Sequence, residues 1–148
     1  MKLIEREFYL ENLKNVTGTP DIKVITGVRR SGKSKLMDAF IEWIKKTDKN
    51  ANIIHINFNL FEFDSIKTAH SLNSYVEERY QKEKTNFLLI DEVQLCSDFE
   101  KVINSFHASE KYDIYITGSN AFLLSSDLAT LFTGRVFQIQ VFPFSFSE

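Results

Sequence analysis

The chain has 148 residues, of which 43% are apolar and 26% charged, and its net charge is -2. That length supports one domain around one core, and the balance is that of a soluble globular protein. The charge gives no electrostatic reason for this domain to bind nucleic acid or an anionic membrane, and the lone Cys96 excludes an internal disulfide and suits a reducing, cytoplasmic setting.

Glu5, Glu7 and Glu11 fall where a signal peptide would need an apolar run. No uncharged apolar stretch approaches the roughly 18 residues of a membrane span. Residues 3–16 read as a short amphipathic helix carrying Leu3, Phe8, Leu10 and Leu13 among charges, ended by Thr17-Gly18-Thr19-Pro20. Residues 22–26 are a short apolar strand. Residues 33–46 follow as a helix with Leu36, Met37, Phe40, Ile41 and Ile44 on one face. The pattern then repeats: a strand at 53–58, a helix near 69–83, a strand at 86–90, a helix at 98–109, a strand at 113–117, a short helix at 121–130 and a last strand at 136–142. Alternating strands and helices predict an α/β fold with a mainly parallel sheet. The ending, Val141 to Glu148, places Phe142, Phe144 and Phe146 together. Exposed aromatics there would mark a covered surface, so the chain is expected to be the N-terminal fragment of a longer protein.

Residues 27–34 read Gly27-Val28-Arg29-Arg30-Ser31-Gly32-Lys33-Ser34, a full G-x-x-x-x-G-K-[ST] pattern between a predicted strand and a predicted helix. The glycines permit backbone angles that a Cβ resists, so the loop amides can turn inward around a phosphate. The helix that follows would present free N–H groups and its positive dipole end to the same anion. Lys33 would reach the β- and γ-phosphates of ATP, and the Ser34 hydroxyl would bind Mg²⁺. Arg29 and Arg30 can touch phosphate or a neighbouring domain, or stand as solvated surface charges.

Residues 87–92 run four apolar side chains into two acids, Asp91 and Glu92. Asp91 would hold Mg²⁺, directly or through water, and Glu92 would orient or deprotonate the attacking water. Thr117-Gly118-Ser119-Asn120 ends another strand. Ser119 and Asn120 can face the γ-phosphate, with Asn120 as a sensor, or one of them can cap the helix that begins at Ala121. Arg135, before the last strand, can stabilise charge on the γ-phosphate in its own subunit or a neighbour, or form an ordinary ion pair. His55, in an apolar strand, reads as a core histidine rather than a ligand, and Asn57 as a strand-end turn ahead of a residue lining the site. A guanine-reading Asn-Lys-x-Asp motif is absent from the sequence, which argues against a GTPase. A small-molecule kinase would rarely place a Glu directly after its metal Asp.

These motifs, with Gly134-Arg135 and the ending Pro143 to Glu148, make the chain resemble the AAA-superfamily ATPases of bacteria and archaea whose first motif reads G-x-R-R-x-G-K-S. The resemblance spans about residues 1–148. It implies a three-layer αβα P-loop NTPase sandwich with a five-stranded sheet in the order 5-1-4-3-2. It also implies that the sensor strand lies between the two motif strands. Residues 27–34 would bind phosphates, Asp91 would serve Mg²⁺, Glu92 would be the catalytic base, Asn120 the sensor and Arg135 a finger. Members usually continue into a winged-helix and nuclease-like C-terminal region. Two positions depart from the group's pattern. Asn59 stands where an acid is common, and Lys35 where Thr or Ser is common, leaving the Lys35 backbone amide as the α-phosphate donor. The expected function is Mg-dependent ATP binding and hydrolysis, acting as switch or motor for a C-terminal domain, with self-association open. The alternative is a module that binds ATP or ADP without turnover and serves assembly.

Overall fold

The computed structural model describes residues 2–28, 32–119, 131–132 and 135–141. Its elements are α1 (Lys2–Asn15), β1 (Ile22–Thr26), α2 (Lys33–Thr47), β2 (Ala51–Asn57), α3 (Ala69–Arg79), β3 (Thr85–Asp91), α4 (Phe99–Ser109), β4 (Tyr112–Gly118) and β5 (Val136–Gln140). Short 3-10 turns at Phe61–Ile66 and Val93–Leu95 follow β2 and β3.

All five strands are parallel, in the order β2-β3-β4-β1-β5. Read from the other edge this is 5-1-4-3-2, as the resemblance implies. Both faces of the sheet are covered, which is why β3 and β4 carry near-continuous apolar runs, Phe87–Ile90 and Ile114–Ile116, rather than alternating. On one face Val24, Ile54, Ile56, Leu88, Ile90, Ile114 and Ile116 pack against Leu72 and Val76 of α3 and Val102, Ile103 and Phe106 of α4. On the other, Ile25, Phe87, Leu89, Tyr115 and Ile139 pack against Leu13 of α1 and Leu36, Met37, Phe40 and Ile44 of α2. The result is a three-layer αβα sandwich.

Some boundaries differ from the sequence reading. Among the described side chains of α1, from residue 7 on, the buried positions are Tyr9 and Leu13, whereas Phe8 is 61% exposed. Tyr9 and Leu13 are four residues apart, so they stack on the side that meets α2, and Phe8 is turned about 100° away. Helix α3 stops at Arg79 because Tyr80 turns extended (ψ 135°). The Asn86 side chain then holds the chain that follows, accepting from the Gln81 N–H at 3.0 Å and donating to the Gln81 carbonyl at 2.8 Å. The expected helix at 121–130, Phe142 of the expected last strand and the aromatic ending lie outside the described residues. Among the described residues no helix is long and apolar enough to cross a membrane.

Candidate functional site

Parallel strands present all their C-terminal ends at one edge, and ligands of open α/β sheets bind there. Thr26, Asn57, Asp91 and Gly118 end four of the five strands at that edge. Strand β4 lies between β1 and β3, so the loop after β1 and the two acids at the end of β3 flank it.

Gly32 precedes α2 with φ 98° and ψ 10°, in the left-handed region where a Cβ is disfavoured. The expectation that the loop's glycines carry such angles applies at Gly32; among the described residues the other left-handed glycine is Gly18. Helix α2 opens with no side-chain cap and no acid in its first turn, and its first helical bond runs from the Leu36 N–H to the Gly32 carbonyl at 2.9 Å. The N–H groups before Leu36 lack intrahelical acceptors, and no acid of the first turn offsets the dipole, so this end suits an anion. Ser34 is half-buried there and Lys35 is exposed.

The Lys33 ammonium is buried. It donates to the carbonyls of Gly27 at 2.8 Å and Val28 at 3.1 Å, and it stands 3.6 Å from Glu92 Oε2. A cation so held folds back onto its own loop and one acid.

Asp91 is almost wholly buried, and each of its oxygens has a partner. The Thr117 hydroxyl of β4 donates to Oδ1 at 3.1 Å, and His55 Nε2 of β2 lies 3.1 Å from Oδ2. Glu92 follows in the left-handed conformation, φ 57° and ψ 55°. Non-glycine residues rarely adopt it, and they do so chiefly where surrounding structure enforces it, often at functional sites. Its N–H donates to the Thr117 hydroxyl at 2.9 Å, and Gln94 Nε2 donates to its Oε1 at 2.8 Å. The two acids thus stand beside the phosphate-loop lysine. An ammonium, free helix amides and two carboxylates with different partners can bind a polyphosphate and hold a water separately.

Lys33, Ser34, Gly27, Val28, Gly32, Lys35, Asp91 and Glu92 all lie at or beside this edge. Arg29, Arg30, Ser31 and Asn120 lie outside the described residues. Arg135 is not brought to the acids of its own chain. It precedes β5, its carbonyl accepts from the Ile22 N–H at the start of β1, and its side chain is 90% exposed, 3.7 Å from Asp21 Oδ1. In a parallel sheet the residue before a five-residue strand lies about 17 Å from the edge where that strand ends. Sequence reading missed Thr117 and Gln94, and it took His55 for a core residue. His55 is half-exposed, and its Nε2 meets the Asp91 carboxylate. Its parity with Asn57, paired opposite Asp91, was the signal that put it on the acid's face. Asn57 closes a turn, its Oδ1 accepting from the Asn59 N–H at 3.0 Å.

Residues 19–148 match the model of a family described as "AAA domain". An uncharacterized protein of Haemophilus influenzae is 40% identical over 148 residues, covering 99% of this chain and 37% of that protein. An uncharacterized protein of Methanocaldococcus jannaschii is 31% identical over 147 residues, covering 99% of this chain and 31% of that one. The chain therefore spans about a third of the length of these curated relatives. Among solved structures, Aeropyrum pernix Orc1 in complex with DNA superposes with a TM-score of 0.61 at 9% identity, over 96% of this chain and 44% of that one, a likeness of fold. The chain belongs to the AAA domain family, whose members are typically ATPases, and that membership implies nucleotide binding.

Proposed function

We propose that this chain is an AAA-type P-loop ATPase domain that binds Mg-ATP and hydrolyses it, serving as switch or motor for a further region of a longer protein. The observation that carries the reading is the 3.6 Å approach of Lys33 to Glu92, with Asp91 next to it, at the edge where α2 begins. Residues 27–35 wrap the phosphates and Lys33 moves from its two carbonyls onto the β- and γ-oxygens. Asn120 senses the γ-phosphate. Arg135, exposed at the opposite edge, serves a neighbouring copy rather than its own site.

The donor chemistry fits magnesium. Ser34 and Asp91 offer oxygen only, and Mg²⁺ keeps several waters and needs one or two protein oxygens beside the phosphates. When bound, the ion would neutralise charge on the β- and γ-phosphates. Within the chain, Thr117 and His55 hold the Asp91 carboxylate in place, and Glu92 accepts a proton from the attacking water. The relatives are about three times as long as this chain, which leaves room in them for the C-terminal region that the resemblance implies. In such an arrangement nucleotide state orders or releases the loops at the sheet edge, and the attached region responds.

The test is phosphate release and binding of a fluorescent ATP analogue by the full-length protein, with Lys33→Ala alongside. Release that depends on Mg²⁺ and disappears with Lys33→Ala supports the reading. Tight binding with no release by the wild type would instead favour a nucleotide-holding assembly module, and absent binding would end both.

A further inference from the structure

We infer that Thr117 is the positioning residue that sets the two acids together through a single hydroxyl. The inference rests on the ATPase reading above. Backbone pairing of β3 with β4 runs to Ile90 opposite Ile116. One step further a side chain takes over from the ladder. The Thr117 Oγ1 is 3.1 Å from Asp91 Oδ1 and 2.9 Å from the Glu92 nitrogen. The direction of both bonds is set by chemistry. An ionised carboxylate accepts only, so the one hydroxyl proton goes to Asp91, and the lone pair left over receives the Glu92 N–H.

This arrangement has two consequences. It fixes one oxygen of Asp91, leaving the carboxylate's rotation restricted between Thr117 and His55. It also anchors the backbone of Glu92, whose left-handed angles (φ 57°, ψ 55°) need such an anchor. Thr117 is wholly buried, and its hydroxyl is engaged by the two acids, so it acts through them. Neither the Asp91 carboxylate nor the Glu92 backbone can shift without breaking a bond to the oxygen they share. Groups of this kind, which orient the ligands of a metal rather than bind it, change metal affinity or activity when lost.

The experiment compares Thr117→Val, which keeps the shape and removes the hydroxyl, with Thr117→Ser, which keeps the hydroxyl. In the full-length protein, Thr117→Val is expected to lower kcat by about 10- to 100-fold. ATP-analogue affinity in EDTA should stay at the wild-type value, while the gain in affinity on adding Mg²⁺ shrinks. Thr117→Ser should restore both the rate and the Mg²⁺ gain. A Val variant with wild-type kcat and wild-type Mg²⁺ dependence overturns the inference. So does a Ser variant whose kcat and Mg²⁺ gain fall well below those of the wild type, and this arm holds even if Thr117→Val fails to fold. If the wild type binds ATP but releases no phosphate, the hydrolysis reading fails by itself and the Mg²⁺ gain still decides on Thr117. If it binds no nucleotide, both readings fall.

Discussion

Glu92→Gln separates two roles that the site assigns to one side chain. In this structure the Glu92 carboxylate is 3.6 Å from the Lys33 ammonium, and both groups are largely buried. At an effective dielectric of about 20 the gross attraction is about 4–5 kcal/mol. Desolvation offsets most of that, and Lys33 keeps its bonds to Gly27 and Val28, so the net worth of the pair is about 1 kcal/mol. A phosphate that recruits Lys33 must overcome this pairing. The neutral amide of glutamine removes it while preserving shape. ATP binding should therefore tighten by up to about fivefold, the equivalent of about 1 kcal/mol. Hydrolysis should fall by about 10²- to 10⁴-fold, because the amide cannot take a proton from water. Titration with a fluorescent ATP analogue reads the first effect, and single-turnover phosphate release reads the second. Unchanged turnover would refute Glu92 as the base. Weakened binding would refute the idea that Glu92 and phosphate compete for Lys33.

Three further outcomes concern stability. Asp113 accepts from buried Lys23 at 2.6 Å, from the Tyr115 hydroxyl at 2.8 Å and from the Gly18 N–H at 2.9 Å. Asp113→Ala strands the lysine charge and should cost about 3–5 kcal/mol in urea unfolding; a loss under about 1 kcal/mol would contradict the pairing. Glu110 ends α4 with an exposed side chain at φ 58°. Glu110→Gly should stabilise the fold by about 1 kcal/mol, raising Tm by roughly 2–4 °C, and a lower Tm would count against strain there. Alkali should destabilise the protein. Burial, with the charges of Asp98 and Glu100, pushes the Cys96 thiol from 9.0 up to about 11. Burial, then the charge and hydrogen bond of Asp113, raise Tyr115 well above its usual value against an opposing bond from Thr17. The fold holds both groups protonated, so the unfolded chain loses protons first. Their contribution is full below about pH 9 and disappears as pH rises through about 11 and beyond. Thermal melts at pH 8, 9.5 and 11 check the sign.

Local patterns in the chain determined much of this. A strand ending at Thr26, a phosphate loop and a helix starting at Lys33 are neighbours in sequence, and glycine placement and helical spacing record them directly. The same holds for the apolar run that ends at Asp91 and Glu92. Periodicity was weaker for α1: it counted Phe8 among the apolar positions of an amphipathic helix, although the face that meets α2 and the sheet runs through Tyr9 and Leu13. Strand parity carried part of the rest, since His55, Asn57 and Asp91 alternate onto one face, but parity becomes useful only once β2 is known to lie beside β3.

Strand order belongs to the tertiary structure, because it depends on which strands pair across long connections. With β4 between β1 and β3, the hydroxyl of Thr117 reaches an oxygen of one acid and the backbone of the next. With every strand parallel, Arg135 falls at the far edge although it is adjacent in sequence to a strand that flanks the phosphate loop's own. The chain's order alone writes which residues can hold a phosphate and two acids; only folding decides which side chains hold those acids still, since these bonds join strands far apart in the sequence.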